Sequence, residues 1–266
     1  MRTTAVRRTA LAATGAALAL LVTACGGSSD DGGDKTGDGD KAGGGKNASA
    51  PAAPAAAEAL TAAELEKAVL AQADVKNGKV TPALPTDDIA QDKVQADNQA
   101  CRPLALAQTG VAAGEPAATV KRSWTEEPKK PAAGDVSEEA LAGAFDVDKM
   151  LVTLASYEDG GAEAVVKDLK ASAGTCAGGF PYTAAGNKAR ISKVTETEAP
   201  GGADEAVALT LTVTGDEGDD FPVKVLVGRK GSTVASFVVL NFASAASGED
   251  FPFPTEISDA QLAKLS

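Results

Sequence analysis

The chain has 266 residues and a net charge of −12, with 44% hydrophobic but only 4% aromatic residues. Such an acidic surface argues against nucleic acid as a partner, because binding to nucleic acid depends on neutralising phosphates. The chain contains no histidine, which removes Ser-His-Asp and Cys-His catalysis and most catalytic zinc sites, so we expect neither enzymatic activity nor a cofactor.

Residues 1–24 have the organisation of a secretory signal peptide. Three arginines among the first eight residues precede an apolar run over 11–22, which is too short to span a bilayer of about 30 Å. The run ends in Leu-Val-Thr-Ala-Cys at 21–25, which resembles a bacterial lipobox. The resemblance implies that Cys25 receives diacylglycerol and that the leader is removed. The alternative is an ordinary cleaved signal peptide or an uncleaved anchor.

A lipid on Cys25, with the new amino group often acylated as well, predicts the location of the protein. More than one acyl chain gives stable anchoring, so we expect an extracytoplasmic protein held on the outer face of the cytoplasmic membrane. Residues 25–58 then form a tether of small and polar residues without large apolar side chains. Such a segment cannot offset its ordering entropy, and the folded domain is expected over 59–266.

The domain is predicted to begin with two helices. Thr61-Ala-Ala-Glu64 forms a capping box, in which the Thr hydroxyl and the Glu carboxylate satisfy free N–H groups at a helix start. A long loop containing Pro82 follows. A second helix is predicted from Cys101, with Pro103 in its first turn, to near Gly110.

Alternating apolar residues then predict a series of strands with one inserted helix. The clearest strand is 205–214, where aliphatic residues alternate with Ala and Thr. Strands are predicted over 118–125, 147–157, 189–197, 205–214, 221–229 and 232–243, with the inserted helix over 162–172. Ser258 is predicted to cap a closing helix. This order indicates an α+β fold with a mainly antiparallel sheet and helices packed on one face and at its ends.

Two cysteines remain once Cys25 is assigned to the lipid. Thiols of exported chains tend to oxidise, so we predict a Cys101–Cys176 disulfide between the second helix and the end of the inserted helix. The alternative is a redox pair, but the two residues are far apart and form no Cys-x-x-Cys motif.

Several features follow in order over residues 60–266. They are Cys101-Arg102-Pro103-Leu104, a strand ending in Ser156-Tyr157, a helix with Ala164 and Leu169, Cys176, and a late strand at 236–240. This arrangement resembles the PknH-type extracellular sensor domain family of actinobacteria. The resemblance implies an antiparallel sheet with helices around a cleft that binds a small ligand. The chain departs from the family in lacking the second disulfide and in having Ala173 at a common tryptophan position.

Two aromatic residues are candidate ligand contacts. Trp124 lies beside two cations, which can mark a ligand pocket, although a rim residue beside a snorkelling lysine explains it equally well. Tyr182 belongs to a Phe-Pro-Tyr segment that either lines a groove or packs into the core. The acids over 216–220 lack the spacing of a calcium loop, so no metal site is predicted.

These observations leave three functional hypotheses. The leading one is a membrane-anchored, non-catalytic module that binds a small molecule or a cell-envelope partner in a cleft. The second is a lipid carrier whose curved sheet encloses acyl chains, which requires an apolar cavity. The third is a hydrolase with two carboxylates, which requires two deeply buried acids that face each other.

Overall fold

The computed structural model describes residues 58–129, 137, 143–215 and 218–265. The predicted signal peptide, Cys25, the tether and two of the acids over 216–220 lie outside these residues. None of the helices that the structure describes is long and apolar enough to cross a bilayer. The described residues confirm the α+β class and the antiparallel sheet.

A single sheet of nine strands organises the described part of the chain. The strands are β1 (Lys79–Pro82), β2 (Val94–Ala96), β3 (Ala118–Thr125), β4 (Asp148–Ser156), β5 (Phe180–Ala184), β6 (Asn187–Thr197), β7 (Glu205–Thr214), β8 (Asp220–Lys230) and β9 (Thr233–Asn241). Their spatial order is β1-β3-β4-β9-β8-β7-β6-β5-β2, and every pair is antiparallel. The six predicted strands are all present. β1, β2 and β5 were not predicted from the sequence, and they have only three to five residues.

Among the described helices, the first three begin and end close to the predicted positions, the fourth was not predicted, and the fifth begins earlier than expected. They are α1 (Ala62–Ala68), α2 (Arg102–Gln108), α3 (Gly161–Thr175), α4 (Phe242–Ser247) and α5 (Thr255–Ala263). The capping box of α1 is formed, since Glu64 Oε2 accepts from the Thr61 N–H at 2.9 Å. The predicted cap of α5 is wrong. That helix already starts at Thr255, directly after Pro254, so Ser258 lies inside it and its hydroxyl donates to the Thr255 carbonyl.

Helices cover both faces of the sheet, whereas the sequence predicted them on one face and at its ends. We call the face under α2 and α3 the upper face and the face under α1 and α5 the lower face. The upper core contains Leu104, Val166, Leu169, Leu211 and Val225, and the lower core contains Leu65, Met150, Leu154, Phe237 and Ile257. The reason lies in β4 and β9, which bury residues on both sides and therefore need cover on both.

Candidate functional site

The upper face carries a cleft of about 850 Å³ between α2, the start of α3 and the loop that follows α2. We call it the α2–α3 cleft. Leu106 and Tyr157 are buried and form its apolar side, together with the partly buried Val165. Its exposed edge carries four carboxylates, from Glu115, Glu158, Asp159 and Asp168. The cleft therefore combines an apolar wall with a negatively charged edge.

Hydrogen bonds from side chains hold the loop after α2 in place. Tyr157, which directly follows β4, donates its hydroxyl to the Ala113 carbonyl at 2.8 Å. Burial raises the pKa of Tyr157, so this hydroxyl remains a donor. From the opposite side, Gln91 Nε2 donates to the Ala112 and Gly114 carbonyls at 2.7 and 2.8 Å. Three consecutive residues of the loop are thus fixed by bonds to distant segments.

The α2 wall of the cleft is fixed to its neighbours in the same way. The Arg102 guanidinium donates through Nε to the Val94 carbonyl at 3.0 Å and through Nη2 to the Gln91 carbonyl at 2.8 Å. Cys101 and Cys176 form a disulfide with a Cα–Cα distance of 5.8 Å, which joins the start of α2 to the end of α3. Beside it, the Ser172 hydroxyl donates to the Ala100 carbonyl at 2.7 Å. Both helical walls are therefore tied together by bonds within the protein.

Trp124 and Tyr182, the two aromatic candidates from the sequence, lie in the core and not in this cleft. Trp124 is 1% exposed in the lower core, and its Nε1 donates to the Asn77 carbonyl at 2.8 Å. Tyr182 is 5% exposed in the upper core, and its hydroxyl donates to Gln108 Oε1 at 2.7 Å. Burial raises the pKa of Tyr182 to about 12. Packing and hydrogen bonding thus account for both side chains.

The cations that stand beside Trp124 in sequence are engaged in ion pairs. Lys121 Nζ lies 3.2 Å from Asp88 Oδ1, and Arg122 pairs with Glu66. The aromatic residue that lines the α2–α3 cleft is Tyr157, whereas Trp124 and Tyr182 had been predicted as the ligand contacts. The signal for it was its position between a buried strand and a Glu-Asp-Gly-Gly turn, since loops at strand ends commonly carry binding residues.

Two other carboxylates meet at the start of β4. Asn241 Nδ2 donates to Asp146 Oδ1 at 3.0 Å and to Asp148 Oδ1 at 2.8 Å, while Asn241 Oδ1 accepts from the Ser244 N–H at the start of α4. Burial raises the pKa of Asp148. The hydrogen bond from Asn241 and the ammonium of Lys129 lower the pKa of Asp146. Because the Asp146 side chain is 48% exposed, this pair lacks the two deeply buried acids that the hydrolase hypothesis requires.

The opposite pKa shifts predict opposite effects of two isosteric substitutions. Asp148 stabilises the fold when protonated, so its contribution is present below the unfolded pKa of 3.8 and is lost as the pH rises through its raised folded pKa. We expect Asp148→Asn to raise the melting temperature at pH 7, with a gain that disappears towards pH 3. Thermal unfolding between these pH values measures it.

Asp146→Asn is the matched control. Its lowered pKa contributes stability above the unfolded value of 3.8 that is lost as the pH falls through the folded pKa. This substitution should therefore lower the melting temperature at pH 7. If both variants shift the melting temperature in the same direction at pH 7, then the pKa shifts of Asp146 and Asp148 do not have opposite signs.

No protein-family model and no curated protein matches the chain. Among solved structures, it is similar to the extracellular domain of PknH from Mycobacterium tuberculosis, with 12% identity over 78% of this chain and 95% of that chain and a TM-score of 0.42. At this level of similarity we transfer neither residue roles nor a ligand. Within the described residues, no group of three or more Cys, Asp or Glu side chains is placed to hold a metal ion.

Proposed function

We propose that the chain is an exported lipoprotein, anchored through Cys25, whose domain binds a small ligand in the α2–α3 cleft without converting it. The observation that carries this proposal is a cleft of about 850 Å³ whose walls are already tied together. Its volume falls within the range of about 300–1,000 Å³ that is typical of small-molecule sites. Walls that are ordered before binding reduce the entropy lost on association.

The charge of the cleft supports a cationic ligand. Its four carboxylates stand against one guanidinium, that of Arg102, which already donates to two carbonyls. A cleft lined by one sign of charge raises the local concentration of the opposite sign. The buried wall formed by Leu106 and Tyr157 would take an apolar portion of the same molecule. We therefore propose a small amphipathic cation as the ligand class.

A lipid carrier fits this geometry less well. The apolar crevice that continues from the cleft beneath α2 and α3 measures only about 20 Å³, which is enough for about one water molecule. Val111, Leu169 and Val227 line it, and all three are buried in the upper core. An acyl chain would have to displace core side chains to enter.

Binding is tested by closing the cleft. Ala164 and Ala171 are both exposed on α3, but only Ala164 lines the cleft. We expect spermidine or tryptamine to raise the melting temperature of the wild type and of Ala171→Trp, and to leave the melting temperature of Ala164→Trp unchanged. At a ligand concentration of 100 times Kd, the stabilisation is about 2.7 kcal/mol. Neutral polyols serve as negative probes.

Two outcomes would contradict this proposal. One is the absence of a shift with either cation, and the other is a shift that Ala164→Trp retains.

The anchor is tested separately, by the intact mass of protein taken from its native membrane. A diacylglyceryl adduct on Cys25 is expected, and an unmodified thiol at that position would refute the lipoprotein assignment.

A further inference from the structure

The lower face of the sheet carries a second pocket, of about 380 Å³, beside the start of α5. Ala208 of β7 and Leu226 of β8 stand opposite each other in the sheet and form its floor, and both belong to the lower core. The loop between β6 and β7 forms one wall, and the segment that precedes α5 forms the other. We call it the lower pocket. It lies on the face opposite the α2–α3 cleft and is independent of the function proposed for that cleft.

The wall before α5 is held on the sheet by two contacts. The Phe251 side chain is 6% exposed in the lower core, and Lys224 Nζ lies 5.7 Å from the centre of its ring. Asp250, directly before it, pairs with Lys224 Nζ at 2.6 Å. The next aromatic residue, Phe253, lines the pocket and packs partly buried against the lower core. Phe253 therefore belongs to a segment that the protein's own contacts hold in place.

The loop between β6 and β7 is anchored at its far end. The Asp204 N–H donates to the Arg229 carbonyl at 2.8 Å, and Asp204 Oδ2 accepts from the Gly231 N–H at 2.8 Å. On the pocket side, Ala199 packs against the lower core, and Pro200 restricts the backbone. Both walls are thus ordered by contacts within the protein, which reduces the entropy that a ligand loses on binding.

The lining of the lower pocket is mostly apolar. Its apolar side chains are those of Ala199, Pro200, Ala208, Leu226 and Phe253. Two exposed threonines, Thr197 of β6 and Thr255 of α5, add hydroxyl groups at its edge, and a hydroxyl group can both donate and accept a hydrogen bond. Apolar walls with a few polar groups are typical of small-molecule sites.

The charges of the lower pocket favour neither sign. Among its lining residues, Lys224 is the one cation and Glu198 the one carboxylate. The Lys224 side chain is only 11% exposed, and its ammonium is engaged by Asp250 and by Thr210 Oγ1 at 3.0 Å. An anion in the pocket would lie near Glu198 and Asp250, and a cation would lie near Lys224. Because a charged group that leaves water needs an opposite charge as compensation, the lining favours neutral molecules.

We propose that the lower pocket binds a neutral, apolar molecule about the size of two fused rings, with a hydroxyl or carbonyl oxygen. An apolar cavity of about 150 Å³ holds benzene, so a pocket of about 380 Å³ has room for a second ring. Phe253 supplies an aromatic partner for these rings. The hydroxyl groups of Thr197 and Thr255 supply hydrogen bonds to the oxygen.

The test is calorimetric titration of the full chain with 1-naphthol, which is neutral at pH 7, and with 1-naphthalenesulfonate, which carries the same rings and a negative charge. Thr197→Trp and Thr255→Trp fill the lower pocket from β6 and from α5, since both threonines are exposed and line it. Ala164→Trp is the matched control, because it adds the same side chain in the α2–α3 cleft.

We expect the wild type to bind 1-naphthol at least about tenfold more tightly than the sulfonate, because only the sulfonate has to lose the hydration of a charge. Each of the two pocket variants should lose about tenfold or more in affinity for 1-naphthol, because the indole ring occupies the space of the ligand. The affinity of Ala164→Trp should stay within about twofold of the wild type, since the two sites lie on opposite faces of the sheet.

Three results would overturn the proposal. Absence of 1-naphthol binding to the wild type removes the ligand class. An affinity that both Thr197→Trp and Thr255→Trp retain, or that Ala164→Trp loses to the same extent, shows that the ligand does not bind in the lower pocket. Equal affinity for the sulfonate shows that the pocket does not select neutral molecules. Circular dichroism of the three variants excludes misfolding as the cause of a loss.

Discussion

Replacing Cys101 and Cys176 together by alanine is expected to lower the free energy of unfolding by about 4 kcal/mol. The disulfide joins residues 75 positions apart, and in the chain-entropy treatment a crosslink of that span destabilises the unfolded state by this amount. Both residues are buried, at 2% and 3% exposure, so alanine avoids placing new polar groups in the upper core. For a domain of about 200 residues, the melting temperature should fall by roughly 10 °C.

Denaturant unfolding measures this effect without depending on a ligand. The oxidised wild type, the reduced wild type and the double variant are compared, with Cys25→Ser as the control that removes a cysteine outside the bridge. The reduced protein and the double variant should share one lowered midpoint, and Cys25→Ser should keep that of the oxidised wild type. If reduction leaves the midpoint unchanged, then the bond is not formed in solution or the reduced unfolded chain is already compact.

The disulfide also bears on the α2–α3 cleft. It joins the two helices that wall the cleft, and packing in the upper core and the Ser172–Ala100 hydrogen bond support the same junction. Without the crosslink, we expect the spacing of α2 and α3 to vary more. Ligand affinity should then fall even at temperatures where the variant remains folded, because binding has to order both walls.

The strands that were predicted from the sequence are the long ones. β7 and β8 have ten and eleven residues, long enough for a period of two to stand out against chance. β2 has three residues, too few for any periodicity. β5 contains Pro181, and proline argues against a strand, although β5 accommodates it beside the short edge strand β2.

The family resemblance implied a cleft, but the residues that line it could not be predicted because its walls depend on contacts between distant segments. Gln91 bonds to residues 21 and 23 positions away, and Tyr157 to one 44 positions away. Gln91 does not stand out in the sequence by composition or spacing, and the one signal for Tyr157 is its position between a strand and a turn. The second helical layer was missed for a related reason. A near-continuous apolar strand such as β9 indicates burial on both faces, but it does not tell which helix covers each face.

The lower layer contains a buried polar side chain that the sequence gave no reason to select. Gln261 of α5 is fully buried. Its Oε1 accepts from the Leu70 N–H at 2.6 Å, and its Nε2 donates to the Ala68 carbonyl at 2.9 Å. These two backbone groups lie at the end of α1, where a helix leaves its last carbonyls without partners. Gln261 thus caps the first helix of the domain from its last one.

Gln261→Met should lower the free energy of unfolding by about 2–4 kcal/mol, because it keeps the volume of the side chain but leaves the buried Leu70 N–H and the partly buried Ala68 carbonyl unpaired. Gln95→Met is the matched control, since the exposed Gln95 side chain makes a single hydrogen bond to the described residues, at 3.3 Å, and its replacement should change stability by less than about 0.5 kcal/mol. Chemical denaturation of both variants measures the difference. A loss below about 1 kcal/mol for Gln261→Met would mean that Leu70 and Ala68 find other partners, and the bond from Lys264 Nζ to the Val69 carbonyl at 2.9 Å would then be the contact that holds α5 to α1.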